Sequence, residues 1–389
     1  MRRLPEIKTM KKILLFTYAC LLILTTANAE KRLKHPLTFV PADSIVFLSQ
    51  DISNLRLLAL ATDSTACPGR TTIDKAARKA FEKDLKAWQK HMAGHFNLVG
   101  GMGDELVNPQ ILPATAMLHE SATLFLQTAD AKFANAISRI VHNTLPTALG
   151  SPIEAERQMG ARALSDAAGM IYATDTEGVY INFYTNSYGY IHTPHLHLSL
   201  DVQTFMPFEG RVKVRVGGMK KGRHEFKLRF LIPEWCRAEI SPATRYTAVP
   251  DKKEQLIVYI NGRDEELKAE NGYVEITRAW RNGDEVYFDL PFPILTIRPV
   301  GCDSLTSGVV ALQRGPLVYA LPRSVNEWYF DAEQPIRIDY SEQVANVPCL
   351  AGQLKAKKST SESTEVPKTS FVAVPYAIFR GQVWLEESQ

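Results

Sequence analysis

The chain has 389 residues, a formal net charge of +3, 45% hydrophobic residues and five cysteines. That length suits two or three domains, and a charge balance so close to neutral argues against a nucleic-acid-binding protein. After the N-terminal segment no apolar run reaches the roughly 18 uncharged residues of a transmembrane helix.

In chain order, Met1 to Ala29 reads as an address. Arg2, Arg3, Lys8, Lys11 and Lys12 precede the apolar run Ile13 to Leu24, and Ala27-Asn28-Ala29 follows. This is the organisation of a secretory signal peptide with an A-x-A cleavage site. Cleavage near Ala29 and a periplasmic or extracellular mature protein are expected; Met10, followed by two lysines, would serve equally well as the start. Cys20 is a poor lipid-attachment site, because Tyr18-Ala19 precedes it and most of the apolar run follows it. The leader carries much of the basic excess, so the mature chain is near neutral. Its cysteines, Cys67, Cys236, Cys302 and Cys349, are far apart with no C-x-x-C. An exported protein can form disulfides, but this spacing makes no disulfide framework, and most are expected to be single buried thiols.

Residues 30–174 read as helical. Thr71-x-x-Asp74 opens an amphipathic helix with Ile73, Ala77, Phe81, Leu85, Trp88 and Met92 at three- and four-residue steps. A second helix is expected over about Ala114 to Gln127. Asp130 is an N-cap candidate for a third, which carries Phe133, Ile137, Ile140 and Val141. A fourth runs from about Ile153 to Ala168. Gly100-Gly-Met-Gly103 is too glycine-rich for a helix and reads as a loop that brings backbone close to something else.

From Asp175 the character changes to short strands separated by Gly, Pro and Asn turns, which is antiparallel sandwich material. Strands are expected at Val179 to Tyr184, Leu196 to Phe205, Val212 to Val216, Glu225 to Ile232, Leu256 to Ile260 and Val309 to Leu321. Within Asn271 to Pro291, Val274 and Ile276, then Val286, Phe288 and Leu290, alternate with polar residues on either side of Asn282-Gly283-Asp284. This pattern predicts a hairpin that buries those side chains, with Trp280 covering an edge of the core. Lys355 to Ser370 is expected to be a flexible loop, and Phe371 to Leu385 a closing strand region. The fold class is α+β, with a sandwich over 175–300 and a C-terminal β-rich segment over 301–389.

LFLQTADAKFANAISRIVHN, AGMIYATDTEGVYINFYTNS, LRFLIPEWC, GYVEITRAWRNGDEVYFDLP, VVALQRGPLVYAL and VAVPYAIFRGQVWL follow one another along the chain. In this order they resemble glycoside hydrolase family 127, the β-L-arabinofuranosidase-like enzymes. The resemblance covers about residues 100–385 with gaps. It implies an α/α toroid of paired helices followed by β-sandwiches, acting on arabinofuranosides or related sugars. Six helical hairpins need roughly 300 residues at ordinary helix and loop lengths, so 30–174 reads as a shortened, incomplete toroid.

The chemistry implied by the resemblance is a zinc-bound cysteine thiolate as nucleophile and a glutamate as acid/base, because zinc strips and positions a thiol that is otherwise mostly protonated. Its ligands come from a Glu-x-Cys motif and a Cys-Cys pair. Here those positions hold Gln110 and Leu112, and Ala155 and Glu156. No zinc cofactor is therefore expected. Glu105, after the Gly-rich loop, lies near the family's acid/base glutamate but one residue out of register. A solvated loop carboxylate is the plainer reading. Glu105 and Glu156 are the catalytic candidates for a glycosidase working through two carboxylates. A carbohydrate-binding accessory protein without catalysis, or a remnant with an open apolar groove, are the other readings.

His192, His195 and His197 suggest a metal cluster, but strict alternation would put His192 on the face opposite the other two, and a polar strand face is the plainer reading. Tyr184, Tyr188, Tyr190, Trp235, Trp280 and Trp328 could stack on sugars, with Trp328-Tyr329 the first pair to inspect; most are expected to fill the sandwich.

Overall fold

The computed structural model describes residues 37–41, 44–47, 75–103, 110–242, 245–300, 308–340, 347–357 and 367–387. The leader, Cys67, Thr71–Asp74, Glu105, Cys302 and residues 358–366 of the expected loop lie outside these.

Five helices form one layer. They are α1 (Lys75–His95), α2 (Ile111–Thr128), α3 (Ala131–Arg139), α4 (Leu145–Leu149) and α5 (Glu154–Ala168), with a π-helical turn, Ile140–Thr144, joining α3 to α4. Asp130 caps α3 as expected, its Oδ1 accepting from the Lys132 N–H at 3.0 Å. Trp88 holds three helices together: its Nε1 donates to Ser121 Oγ on α2 at 2.8 Å, and its ring meets Phe133 of α3 edge-on at 4.7 Å. The Gly-rich loop does make a close approach. Gly100, at φ +78°, lies so near the backbone of Arg139 and Ile140 that a Cβ there would come within 2.9 Å of it.

The β-structure forms a five-stranded, a seven-stranded and a nine-stranded sheet. The five-stranded sheet has the order Thr38–Phe39, Tyr172–Thr174, Gly178–Ile181, His224–Leu231, Tyr273–Trp280. One of its faces lies under the helices, where Tyr180 meets Phe125 of α2 at 6.2 Å and Tyr273 at 5.4 Å. Its other face, with Val179, Ile181, Val274 and Ile276, shares a core with Val212, Val214, Val286 and Phe288 of the seven-stranded sheet. That sheet runs Arg263–Asp264, Ile257–Ile260, Glu285–Asp289, Arg211–Gly217, His197–Thr204, Ser187–His192, Ile45–Phe47. The nine-stranded sheet is built largely from the C-terminal part of the chain and has its own cluster around Leu312, Tyr319 and Leu350.

The segment 271–291 corrects the expected hairpin. Tyr273–Trp280 pairs with His224–Leu231, whereas Glu285–Asp289 pairs with Arg211–Gly217 and Ile257–Ile260 in the other sheet. The turn between them therefore carries the chain across the sandwich. Both strands bury their alternating apolar sets in the same interior, and Phe230 and Phe288 meet there at 4.6 Å. Gly283 supplies φ +92° for the turn, and the Arg281 N–H donates to Asp284 Oδ2 at 2.9 Å. Trp280 is fully buried rather than edge cover: it stacks on Phe226 and donates from Nε1 to the Phe226 carbonyl at 2.9 Å.

Two further segments differ from the sequence reading. Val309 to Leu321 breaks at Gly315-Pro316 into Val309–Arg314 and Leu317–Ala320, with Gly315 at φ +57°. Lys355 pairs with Lys368 and Gln353 with Ser370, so strands extend into both ends of the expected flexible loop.

Candidate functional site

The helical layer contains a cleft of about 400 Å³ between α1, α2 and the Gly-rich loop. Met102, Pro113, Ala116 and Met117 make its apolar lining, and His91, His95, Gln110 and Glu120 supply polar groups. His91 and His95 sit one turn apart on α1, on the flank of the buried stripe of Leu85, Trp88 and Met92. His91 Nδ1 lies 3.5 Å from Glu120 Oε2 on α2. The sequence reading missed these residues. The i, i+4 spacing of the two histidines was the available signal, but their meeting with Glu120 depends on how the two helices pack.

Behind the cleft, His119 ties α2 to α5. Its Nδ1 donates to the Thr115 carbonyl and its Nε2 to Asp166 Oδ2, both at 2.9 Å. The hydrogen bond to Asp166 raises the His119 pKa, against an opposing effect of burial. A raised folded-state pKa stabilises fully below the unfolded value and loses that contribution as pH rises through the folded value. The His119 side chain is 43% exposed, so solvent screening keeps the stability effect small. Asp166→Asn is expected to lower the His119 pKa, read by histidine NMR titration; an unchanged titration would show that Asp166 is not the cause.

Of the two carboxylates singled out from sequence, Glu105 lies outside the described residues. Glu156 is half-buried in the first turn of α5, where the helix dipole favours a carboxylate, and accepts a 2.5 Å hydrogen bond from Ser151 Oγ. It does not line the cleft. Gln110 does, whereas Leu112 is 63% exposed and Ala155 is exposed. An amide, two alkyl side chains and a carboxylate held by Ser151 are not the donor set of a zinc-thiolate centre, so these residues do not fit the metal implied by the resemblance.

The described cysteines lie elsewhere. Cys236 follows Trp235 in a short helical turn, and burial pushes its thiol pKa well up, so it is not a thiolate at neutral pH. Cys349 is buried in Pro348–Ala356. Among the described residues no group of three or more His, Cys, Asp or Glu is arranged to hold a metal ion.

The histidine-rich stretch also needs correction. Residues 193–196 form the turn of a true hairpin, so His192 and His197 are direct cross-strand partners with rings 5.5 Å apart, while His195 lies in the turn. The alternation restarts after the turn, which puts His192 and His197 on one face. Among the aromatics, Tyr184, Trp235 and Trp280 are buried, Trp328 and Tyr329 are half-buried, and Tyr190 is 46% exposed.

A helical layer with a cleft, seated on a β-sandwich and joined to a further sheet, is the class of protein defined by these features. Residues 178–292, which span most of the sandwich, match the family model described as the β-L-arabinofuranosidase GH127 middle domain. Among solved structures, a GH127 β-arabinofuranosidase is similar at TM-score 0.68 and 19% identity, covering 80% of this chain and 58% of its own. A GH127 β-L-arabinofuranosidase from Geobacillus stearothermophilus T6 is similar at TM-score 0.64, also at 19% identity and covering 80% and 58%. A third, a glycoside hydrolase, has TM-score 0.60 at 18% identity and covers 75% and 54%. No curated protein matches. Residues 178–292 thus match the GH127 middle domain, and the chain shares the fold of these structures over 58% of the length of the first two. Among the described residues no helix is long and apolar enough to cross a membrane.

Proposed function

We propose that the protein is an exported, carbohydrate-directed GH127-like protein that binds a sugar in the helical cleft and does not cleave arabinofuranosides through a zinc-bound thiolate. The observation that carries this reading is Gln110. It lines the cleft at the position where the family resemblance expects a zinc-ligating glutamate. A neutral amide there, beside His91, His95 and Glu120 and over an apolar lining, suits a small polar ring better than a metal. Export is supported by the organisation of Met1 to Ala29. The two-carboxylate glycosidase is disfavoured by Glu156, which is engaged by Ser151 and stands outside the cleft.

The test joins three measurements on the mature chain. Aryl β-L-arabinofuranoside turnover is expected at background, zinc is expected below one per chain after dialysis against a mild chelator, and calorimetry is expected to detect arabinofuranose-oligosaccharide binding that Gln110→Ala weakens. Turnover that Glu105→Gln or Glu156→Gln abolishes would instead establish the two-carboxylate enzyme.

A further inference from the structure

The outer face of the seven-stranded sheet, away from the helices, carries two aromatic pairs. Tyr188 and Tyr190 lie side by side with ring centroids 4.8 Å apart, and Tyr188 OH is fixed 2.7 Å from Ser199 Oγ on the next strand. His192 and His197 continue this row at one end of the same two strands. Further across the same face, Tyr259 and Tyr287 pair directly across strands at 6.0 Å. Three strand spacings, roughly 14 Å across the sheet, lie between the strands of Tyr287 and Tyr188, and the register sets Tyr188 two residues along from Tyr287.

The ground between them is polar and already balanced in charge. Lys213 is bound to Glu285 at 2.9 Å, and Arg211 to Glu209. Arg215 stands in register between Asp201 and Glu285. A highly charged ligand would have to break these pairs. A flat, uncharged ligand with hydroxyl groups at its edges would keep them while covering the rings, whose apolar faces and phenolic hydroxyls suit it.

We propose that this face is a second carbohydrate site, which takes a neutral oligosaccharide laid across the strands from Tyr188–Tyr190 to Tyr259–Tyr287. The proposal rests on the sugar-directed reading of the protein but not on the cleft. Two anchors on one chain explain the separation of the pairs: a ligand long enough to reach both gains from each, whereas a single sugar reaches one.

Affinity gel electrophoresis of the mature chain in soluble neutral arabinan, xylan and mixed-linkage β-glucan tests it, with anionic polygalacturonate alongside. At least one neutral polysaccharide is expected to retard the protein more than polygalacturonate does. Tyr190→Ala and Tyr287→Ala are each expected to weaken that retardation about tenfold. Both tyrosine positions are partly solvent-exposed, and retention of the wild-type unfolding midpoint shows that the variants fold. Equal retardation of wild type and both tyrosine variants, preference for polygalacturonate, or no retardation by any of the three neutral polymers would overturn the proposal. Tyrosine-dependent retardation in a protein whose cleft binds nothing would uphold this site and sink the cleft reading instead.

Discussion

Phe288→Ala is expected to lower the free energy of unfolding by about 3–5 kcal/mol, the range for a large aromatic removed from a packed core. Phe288 is fully buried, lies 4.6 Å from Phe230 of the facing sheet, and has Val286 and Leu290 buried on the same side of its strand. The interior between two sheets leaves little room for collapse, because each sheet is held by its own ladder. The neighbouring turn should be more forgiving. Gly283→Ala forces a Cβ into φ +92° at a cost of about 1–2 kcal/mol, but the added methyl meets only the Arg215 guanidinium at 3.8 Å. Urea unfolding of both variants checks this, with an unchanged m-value showing that the comparison is one of stability. A Gly283→Ala loss equal to that of Phe288→Ala would mean that the turn, not the core contact, fixes the crossing.

The segment 271–291 also marks how far the sequence could be read. Val274, Ile276, Val286 and Phe288 alternate as strand residues must, and all are buried. Their partners could not be read, because a polar turn with Asn-Gly serves a hairpin and a crossing between sheets alike. What separates the two is the register of Tyr273 against Leu231 and of Glu285 against Arg215, and those contacts are distant in sequence. The helices were more legible, since Asp130 as a cap and Leu85, Trp88 and Met92 as a buried stripe are local features. The π-helical turn at Ile140–Thr144 had no such signal. It lies where Asn143 reaches out of the helix to the Pro316 carbonyl at 2.9 Å and receives the Val318 N–H at 2.8 Å, so tertiary bonds accompany the irregularity.

The candidate site divides in the same way. Gln110 was picked out by resemblance alone, and the cleft gives it a physical setting. His91 and Glu120 come together only when α1 lies against α2. The platform tyrosines were visible as aromatics, but whether each faces the core or solvent depends on which side of the seven-stranded sheet packs against the five-stranded one. Tyr184 buries its ring and donates its hydroxyl to the Leu231 carbonyl at 2.6 Å, while Tyr190 remains 46% exposed on the opposite side of the sandwich.

Removing one partner of the Arg139–Glu234 pair is expected to cost about 3–5 kcal/mol, as large an effect as the core deletion, because it strands a charge away from water. The pair joins the helical layer to the sandwich: Arg139 Nη2 donates to Glu234 Oε1 at 2.6 Å, and both side chains are under one-tenth exposed. Other polar atoms of the two side chains are bonded as well. Arg139 Nη1 donates to the Ser241 carbonyl, and Glu234 Oε2 accepts from the Ser241 N–H at 3.1 Å and its hydroxyl at 2.5 Å. The Phe96 ring lies 5.4 Å from the guanidinium carbon and closes one side of the site. Glu234→Leu leaves a buried guanidinium with only a carbonyl for company, and Arg139→Met leaves a carboxylate with only Ser241. Replacing both removes the two charges together, so the double variant should be less destabilised than the sum of the singles by about 2 kcal/mol or more. Burial also shields the pair from counterions, so raising salt from 0.05 to about 0.5 M should change this coupling little, unlike an exposed pair. A double-mutant cycle by urea unfolding at both salt concentrations measures this directly. Additive single losses would show that Arg139 and Glu234 act through their separate bonds to Ser241 and not through each other.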